Sequence, residues 1–238
     1  MINSQLIDFL KIINKFSDTI IMRYPVTCGI SEDKDIVYSF NIENLDKDNF
    51  GQDLAIAKLS SFLNMFQLFK PSRKVEIENN LIKVSDIDTS AQYILSNPLV
   101  LSQYDAKVEQ FDLTEKIPSV LEFELTQEMI KKLKTGASCF NELNTMVIEG
   151  SENSSIYLVQ TESREKMSSN SIKININKQA EKNFKVGIGN ITLSKLPVSD
   201  YLVKIKYNEA KDKYRILLES KSIKDFKIIL PTKTNLNI

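Results

Sequence analysis

The sequence predicts an α+β fold made of two similar domains, each with antiparallel sheets and two helices. The 238 residues suit two domains of about 120 residues each, which is close to the usual domain size. Amphipathic helical patterns alternate with short runs of β-branched and aromatic residues, and this order restarts after a weakly patterned stretch at residues 96–118. We therefore expect domains at residues 1–112 and 113–238.

The first predicted domain begins with the clearest helix of the chain, at residues 4–18. Its apolar side chains fall on one side at helical spacing: Leu6, Phe9, Leu10, Ile12, Ile13 and Phe16. A second amphipathic helix is predicted at residues 59–69, before Pro71. Strands are predicted at residues 20–24, 35–42, 54–57, 74–78, 81–84 and 91–95, with a charged loop at 43–48 and a hairpin turn at Asn79-Asn80.

The second predicted domain repeats this pattern with one long and one short helix. Thr126 is a suitable N-cap for a helix at residues 127–138, and Gly136 lies near its predicted C-terminal end. A short helical turn is predicted at residues 194–196. The predicted strands are residues 120–125, 145–149, 155–160, 171–176, 184–188, 201–207, 214–219 and 226–230, with a polar hairpin loop at 208–213.

The composition argues against the common kinds of enzyme. The chain has no histidine, which is the commonest general base and metal ligand. The two cysteines, Cys28 and Cys139, have no zinc or redox spacing, and we interpret them as small buried thiols in a reducing cytosol. The segment at residues 187–190 lacks the third glycine of a dinucleotide-binding loop. We expect no catalytic residues, no metal and no cofactor.

The hydrophobic segments are too short to cross a membrane. None reaches the roughly 18 apolar residues that a spanning helix needs. The N-terminal segment carries Asp8, Lys11 and Lys15, and it lacks the basic region and cleavage site of a signal peptide. We therefore expect a cytoplasmic protein with no membrane partner.

The charges are balanced over the whole chain but not along it. Residues 162–238 hold 16 Lys or Arg against 8 Asp or Glu, and residues 1–161 hold the remaining 15 and 23. Such asymmetry is compatible with a surface that faces nucleic acid. It is equally compatible with lysine enrichment in an AT-rich genome, which the many Asn, Ile and Lys residues also indicate.

The order of elements along the whole chain resembles that of a known family. The segments that carry this order over the first hundred residues are 6–14 (LIDFLKIIN), 53–57 (DLAIA), 59–63 (LSSFL) and 78–86 (ENNLIKVSD). In the second half, residues 125–134 and 200–206 fit in position, and residues 226–231 (FKIILP) are similar to the closing strand of clamps. Together they resemble the DNA polymerase sliding clamps of T-even-type bacteriophages.

This resemblance implies a DNA-clamp fold and a non-catalytic role in viral DNA replication. Clamps of this kind close six similar domains into a ring, so a two-domain chain would form a homotrimer around double-stranded DNA. Helices would line the inside of the ring and sheets the outside. The ring would tether the replicative DNA polymerase as a processivity factor, and a clamp-loader ATPase would open and close it. The expected location is the cytoplasm of an infected bacterial host.

Cations on and near the helices are the candidate DNA-binding residues. Long, mobile lysine side chains suit a contact with phosphates that is electrostatic and independent of base sequence. The candidates are Lys11, Lys15, Lys70, Arg73, Lys131, Lys134 and Lys195. The first helix also carries Asp8 and Asp18, so weak affinity is expected. The alternative is that these residues form ordinary solvated helix faces.

Two apolar segments are the candidate sites for the short apolar tails that clamps of this family receive from partner proteins. The residues are Leu99, Val100, Leu101, Ile229, Leu230 and Pro231. An exposed apolar patch would mark such a site. The alternative is that these side chains fill the core of the second domain.

Two other functions remain open from the sequence. A structural virion protein, such as a β-rich tail or baseplate domain, would also lack catalytic residues, although the amphipathic helix at residues 4–18 argues mildly against it. An enzyme with paired carboxylates would need a cleft with perturbed Asp or Glu residues. No pair stands out among the 31 acidic residues.

Overall fold

The computed structural model describes residues 2, 4–42, 53–70, 72–140, 143, 145–162, 170–181, 183–189 and 194–232, so the loop predicted at 43–48 lies outside it. The chain divides into two compact units, Met1–Phe111 (unit 1) and Asp112–Ile238 (unit 2). Each unit has its own apolar core. Leu10 and Phe62 are fully buried in unit 1, and Ile130 and Leu133 are fully buried in unit 2.

The described residues contain four α-helices and a further helical fragment at residues 194–195. The helices are α1 (Ser4–Ile13), α2 (Leu59–Phe66), α3 (Glu109–Lys116) and α4 (Gln127–Cys139). Helices α1 and α2 end earlier than predicted, because their last turns tighten: the Lys15 N–H bonds to the Ile12 carbonyl and the Gln67 N–H to the Asn64 carbonyl, both at 3.1 Å.

The described residues of unit 1 form seven strands in antiparallel pairs. They are β1 (Ile20–Met22), β2 (Val26–Ile30), β3 (Val37–Asn41), β4 (Leu54–Ile56), β5 (Lys74–Glu78), β6 (Leu81–Ser85) and β7 (Ser90–Ile94). β1 pairs with β4 and β2 with β3, while β5, β6 and β7 form one sheet in that order. The predicted hairpin turn is confirmed, with Asn79 at φ +51° in the left-handed region that asparagine tolerates.

The part of unit 2 that the structure describes forms eight strands in two antiparallel arrays. They are β8 (Ser119–Leu125), β9 (Thr145–Gly150), β10 (Ser155–Thr161), β11 (Ile172–Gln179), β12 (Phe184–Gly189), β13 (Tyr201–Asn208), β14 (Lys213–Ser220) and β15 (Lys227–Pro231). One array has the order β11-β10-β9-β12, and the other has the order β8-β13-β14-β15. All predicted strands are confirmed, with ends that differ by at most three residues.

Each unit repeats one supersecondary pattern, a helix followed by three strands. Unit 1 runs α1-β1-β2-β3 and then β4-α2-β5-β6-β7. Unit 2 runs β8-α4-β9-β10-β11 and then β12, the helical residues 194–195 and β13-β14-β15. The predicted twofold repeat of the chain is therefore accompanied by a further repeat inside each half.

Strand β2 was not predicted, because Pro25 was interpreted as the end of the strand before it. In the structure Gly29 lies opposite Tyr38 of β3. A Cβ atom on Gly29 would lie 2.3 Å from the Tyr38 hydroxyl oxygen, so the glycine makes room for the buried ring. Its place in the strand is a packing requirement that the local sequence pattern does not show.

Helix α3 was not predicted either, and it lies in the predicted connector at residues 96–118. Phe111 and Thr114 are the residues of this helix that are buried. The 3-10 turn before it, at Ser102–Tyr104, has no buried residue. Two buried residues leave little apolar periodicity. The C-terminal half of α3 belongs to unit 2, and it is held instead by polar contacts with strands of the same unit.

Gly136 lies near the C-terminal end of α4, as predicted. It lies inside α4, which continues to Cys139, and no described glycine has a positive φ. A Cβ atom on Gly136 would lie 2.2 Å from Ile172 Cδ1 and 2.7 Å from Gln160 Oε1. Gly136 therefore permits the close approach of α4 to β10 and β11, and it does not terminate the helix.

Candidate nucleic-acid interface

The exposed side of α1 carries fewer free charges than its sequence suggests. Lys11 donates to Asp8 Oδ1 at 2.8 Å, and both side chains are more than half exposed. Such a surface pair contributes little to stability, at most about 1 kcal/mol. Lys15 is exposed beyond the end of the helix. The exposed cations on this side of unit 1 are therefore Lys15 and the partly compensated Lys11.

Asp18 is not part of the α1 face, although the sequence analysis counted its charge there. Its carboxylate accepts a hydrogen bond from the Ser60 N–H at 2.6 Å, and its carbonyl accepts one from the Leu59 N–H at 2.6 Å. Both donors belong to the first turn of α2, whose N-cap residue Lys58 makes no side-chain cap. Asp18 thus stabilises the start of α2, where a negative charge is favourable.

Helix α2 presents a mostly uncharged polar side, with Ser61, Asn64 and Gln67 exposed. The cations follow the helix. Lys70 is exposed, and the Arg73 guanidinium lies 4.8 Å from the centre of the Phe66 ring. This cation–π contact fixes the side chain of Arg73 on the surface of α2. Arg73 Nε is buried and has no hydrogen-bond partner among the described residues.

In unit 2, the lysines of α4 differ in what they contact. Lys131 is exposed. Lys132 pairs with Glu128 one turn earlier at 2.7 Å, and this hydrogen bond lowers the pKa of Glu128. Lys134 donates to the Leu196 carbonyl at 2.6 Å, next to the helical residues 194–195 that include the half-buried Lys195. Lys134 therefore connects two segments of unit 2, a role that the sequence pattern does not indicate.

The charge asymmetry along the chain is partly neutralised inside unit 2. Lys173 pairs with Glu149 at 3.2 Å, and Lys221 pairs with Glu124 at 2.8 Å. In each pair the lysine comes from the basic stretch 162–238 and the glutamate from the acidic stretch 1–161. The excess of lysine in the second stretch is therefore not a measure of the basic surface.

Three cations on adjacent strands hold the C-terminal half of α3. Lys206 of β13 is 6% exposed, and its ammonium donates to the Glu115 and Ile117 carbonyls at 3.0 and 2.9 Å. Arg215 of β14 donates to the Thr114 hydroxyl at 2.8 Å, and Lys227 of β15 pairs with the Glu115 carboxylate. Positive charge is favourable at the C-terminal end of a helix, where carbonyls lack intrahelical donors.

The predicted partner-binding residues divide into exposed and buried members. Leu99 and Val100 are 80% and 69% exposed, in the turn that follows β7. Leu101 is buried with Ile21 and Ala55 in unit 1, while Ile229 and Leu230 are 7% and 1% exposed in β15. The side chain of Pro231 lies outside the described part. Only Leu99 and Val100 present the exposed apolar surface that such a site requires.

The described residues contain no group of three or more His, Cys, Asp or Glu side chains placed to hold a metal ion. None of their helices is long and apolar enough to cross a membrane.

Solved structures with the same fold are DNA polymerase clamps. A protein from Eubacterium rectale described as a DNA polymerase III β subunit matches with a TM-score of 0.65 and 12% identity, over 99% of this chain and 64% of its own length. The proliferating cellular nuclear antigen of Entamoeba histolytica matches with a TM-score of 0.63 and 8% identity, over 96% and 95%. The β clamp of Helicobacter pylori, solved with a DNA ligase peptide, matches with a TM-score of 0.61 and 13% identity, over 99% and 67%.

These similarities concern the fold, since the sequence identities are low. No protein-family model matches the chain, and no curated protein matches it in sequence. The chain spans about two thirds of the two β subunits and nearly the whole of the nuclear antigen. Its antiparallel sheets and few helices form a clamp-like fold.

Proposed function

We propose that this chain, which has the fold of the DNA clamps, is the subunit of a sliding clamp that serves as a DNA polymerase processivity factor. The observation that carries the proposal is the match of 96–99% of the chain to polymerase β subunits and to a proliferating cellular nuclear antigen. The match covers both units. It therefore favours the function of a complete clamp subunit over that of a protein that shares a single domain with clamps.

The proposed clamp encircles double-stranded DNA without reading its sequence. A two-domain chain needs three copies to supply six domains, so the proposed assembly is a homotrimer. The exposed lysines Lys11, Lys15 and Lys131 provide electrostatic contacts to phosphates, and the sparse charge on α2 keeps those contacts weak. Weak contact suits a ring that must slide, because closure of the ring prevents its escape from DNA.

The proposed partners are a replicative DNA polymerase and a clamp-loader ATPase. The Helicobacter pylori β clamp was solved with a DNA ligase peptide. By analogy, we propose that Leu99 and Val100 contribute to a site for short apolar peptide tails. The resemblance to T-even-type phage clamps supports a role in viral DNA replication in the cytoplasm of an infected bacterium. The chain has no histidine, which agrees with a non-catalytic function.

Electron microscopy of the purified protein after mild cross-linking tests the proposal. The expected result is a closed ring of three subunits with a central hole wide enough for duplex DNA. Compact monomers, or trimers without a hole, would contradict the clamp function and favour a structural virion protein.

A further inference from the structure

The exposed residues Leu99 and Val100 lie in a turn that is closed by its own backbone hydrogen bonds. In this connector turn (residues 96–105), the Ser102 N–H bonds to the Leu99 carbonyl at 3.4 Å. The Asp105 N–H then bonds to the Ser102 carbonyl at 3.2 Å. Leu99 is therefore linked through two successive hydrogen bonds to Asp105, the last residue of the turn.

The start of the connector turn is attached to strand β4. The Ser96 N–H donates to the Ala55 carbonyl at 2.8 Å. Leu101 packs in a buried apolar cluster with Ala55 and with Ile21 of β1. The first half of the turn is therefore held by backbone and apolar contacts, which do not depend on charge.

The end of the connector turn is attached through Asp105. Its backbone pairs with Gly29 of β2 in an isolated antiparallel bridge. Its carboxylate accepts a hydrogen bond from the Arg23 guanidinium, and the side chains of Asp105 and Arg23 are 27% and 34% exposed. Solvent screens a partly buried ion pair of this kind less than a fully exposed one. The end of the turn therefore depends on a charged side chain, whereas its start does not.

Arg23 connects these two attachments. Its Nε–H donates to Asp53 Oδ2 at 2.9 Å, while its Nη1–H donates to Asp105 Oδ1. Asp53 directly precedes β4, the strand that holds the start of the turn. A guanidinium suits this position, because its donors form a rigid planar fork that can serve two carboxylates at once. Without Arg23, the two carboxylates would repel each other, and the end of the turn would lose its ionic contact.

The backbone of Arg23 is itself fixed by the core of unit 1. The Arg23 N–H donates to the Thr27 hydroxyl at 3.0 Å, and this hydroxyl donates to the Arg23 carbonyl at 3.1 Å. Thr27 belongs to β2 and is fully buried. The position of Arg23 is therefore set by the fold before any partner binds.

We propose that Arg23 is a positioning residue of the peptide site: together with Asp105 and Asp53, it holds the connector turn in the conformation that presents Leu99 and Val100 to an apolar peptide tail. This inference rests on the proposed function, because it concerns the peptide site assigned there. Its physical basis is preorganisation. An ordered turn loses less conformational freedom when a peptide binds, and the affinity rises with the fraction of molecules in the binding-competent conformation.

Hydrogen exchange tests the positioning without a ligand. In Arg23→Gln, the hydrogen-bonded amides of Leu101 and Asp105 are expected to exchange about three- to tenfold faster, because the turn opens more often. The matched control is Lys83→Gln, which removes one positive charge and the 2.8 Å ion pair with Glu78 from the same unit. It should leave exchange in the turn unchanged. Equal acceleration of the β3 amides in Arg23→Gln would indicate a general loss of stability in unit 1 and would overturn the inference.

Peptide binding tests the consequence for the site. The probe is a fluorescein-labelled synthetic peptide with two leucines and two phenylalanines between glycine–serine ends, and fluorescence anisotropy measures its affinity. Arg23→Gln and Asp105→Asn are each expected to weaken binding about two- to tenfold. The double variant should bind no more weakly than Arg23→Gln alone, because both changes break the same ion pair. Lys83→Gln should bind like the parent. Additive losses, or an unchanged affinity in Arg23→Gln, would overturn the inference.

The outcomes separate this inference from the clamp function. Rings in micrographs, with equal exchange of the connector turn in Arg23→Gln and the parent, would overturn the inference and leave the clamp function standing. Faster exchange of the turn in a protein that forms no ring would support the role of Arg23 in the turn and contradict the clamp function. Equal binding of the probe to the parent and to a variant with both Leu99→Ala and Val100→Ala would overturn the peptide site, and this inference with it.

Discussion

The carboxylate of Asp200 accepts a hydrogen bond from the backbone N–H of Gln127, at 2.8 Å, across 73 residues of sequence. Gln127 is the first residue of α4, and Asp200 immediately precedes β13. Asp18, shortly before β1, makes the equivalent contact with Ser60 in the first turn of α2. In each unit, an aspartate before a strand thus caps the helix of the other repeat.

The first prediction concerns this long-range cap. Asp200→Ala removes an acceptor from the first turn of α4, and we expect it to lower the free energy of unfolding by about 1 kcal/mol. Asp200→Asn is the matched control, because its amide oxygen keeps an acceptor and should retain most of the stability. Urea unfolding followed by circular dichroism measures both. Equal losses in the two variants would mean that the charge of Asp200, rather than the hydrogen bond, matters.

Such contacts explain which parts of the fold the sequence could predict. The apolar periodicity of α1, α2 and α4 and the β-branched strands were sufficient to locate most elements, because those patterns come from residues close in sequence. Asp18 and Asp200 act on residues far away in sequence, so no local pattern reveals them. Helix α3 and strand β2 were missed for a similar reason. Lys206 of β13 holds the end of α3, and Tyr38 of β3 packs over Gly29 of β2, so the contacts that stabilise both elements come from other strands.

The second prediction concerns Gly136. Gly136→Ala would improve helix propensity by about 1 kcal/mol at an exposed site. Here we expect a net loss of about 1–3 kcal/mol, because the new methyl group would overlap Ile172 and Gln160. Thr135→Ala, one residue earlier on the exposed side of α4, is the control and should be close to neutral. A Gly136→Ala protein as stable as the parent would show that α4 can move away from β11 at little cost.

The third prediction compares two lysines of β13. Lys206→Met leaves the Glu115 and Ile117 carbonyls without their buried donor, and we expect a loss of about 1–3 kcal/mol. Lys204 pairs with Glu219 at 2.8 Å and is more exposed, so Lys204→Met should cost less than about 1 kcal/mol. Thermal and urea unfolding give the comparison. A larger effect at Lys204 would refute the role assigned to Lys206.

The fourth prediction concerns the buried hydroxyl of Tyr38. It has no hydrogen-bond partner among the described residues, and burial raises the pKa of Tyr38. The neutral phenol is therefore favoured in the folded protein, and this contribution is fully present below the unfolded pKa of about 10. Above that pH the stability falls by up to about 1.4 kcal/mol per pH unit as the unfolded chain ionises.

Tyr38→Phe is expected to remove this alkaline loss and to leave stability at neutral pH unchanged or slightly higher. Tyr201→Phe is the contrasting variant, because the Tyr201 hydroxyl donates to the Pro197 carbonyl at 3.2 Å and burial also raises the pKa of Tyr201. It should flatten the alkaline loss too, but it should cost about 1 kcal/mol at neutral pH. Urea unfolding between about pH 8 and pH 11 measures both. A destabilised Tyr38→Phe protein at neutral pH would reveal a partner for that hydroxyl.

The candidate site was less predictable than the fold. The sequence locates cations on helices, but it does not show what each ammonium contacts. Lys134 and Lys11 have similar positions on their helices, yet Lys134 bonds to the Leu196 carbonyl while Lys11 meets Asp8 at the surface. Leu99 and Leu230 are both apolar in sequence, yet one is 80% exposed and the other 1%. These distinctions depend on tertiary contacts.

The last prediction separates DNA contact from structural roles among the lysines. Lys11, Lys15 and Lys131 changed together to Ala should weaken binding to duplex DNA and reduce the slope of log affinity against log salt by up to about 3 units per subunit, with the melting temperature unchanged. Lys211, Lys213 and Lys224, which are also exposed but lie in turns or at a strand end, form the matched control. Lys134 is tested alone, because its contact with Leu196 predicts a loss of stability. Equal salt slopes in the two triple variants would show that the affinity for DNA depends on the overall charge of the protein and not on the lysines of the helices.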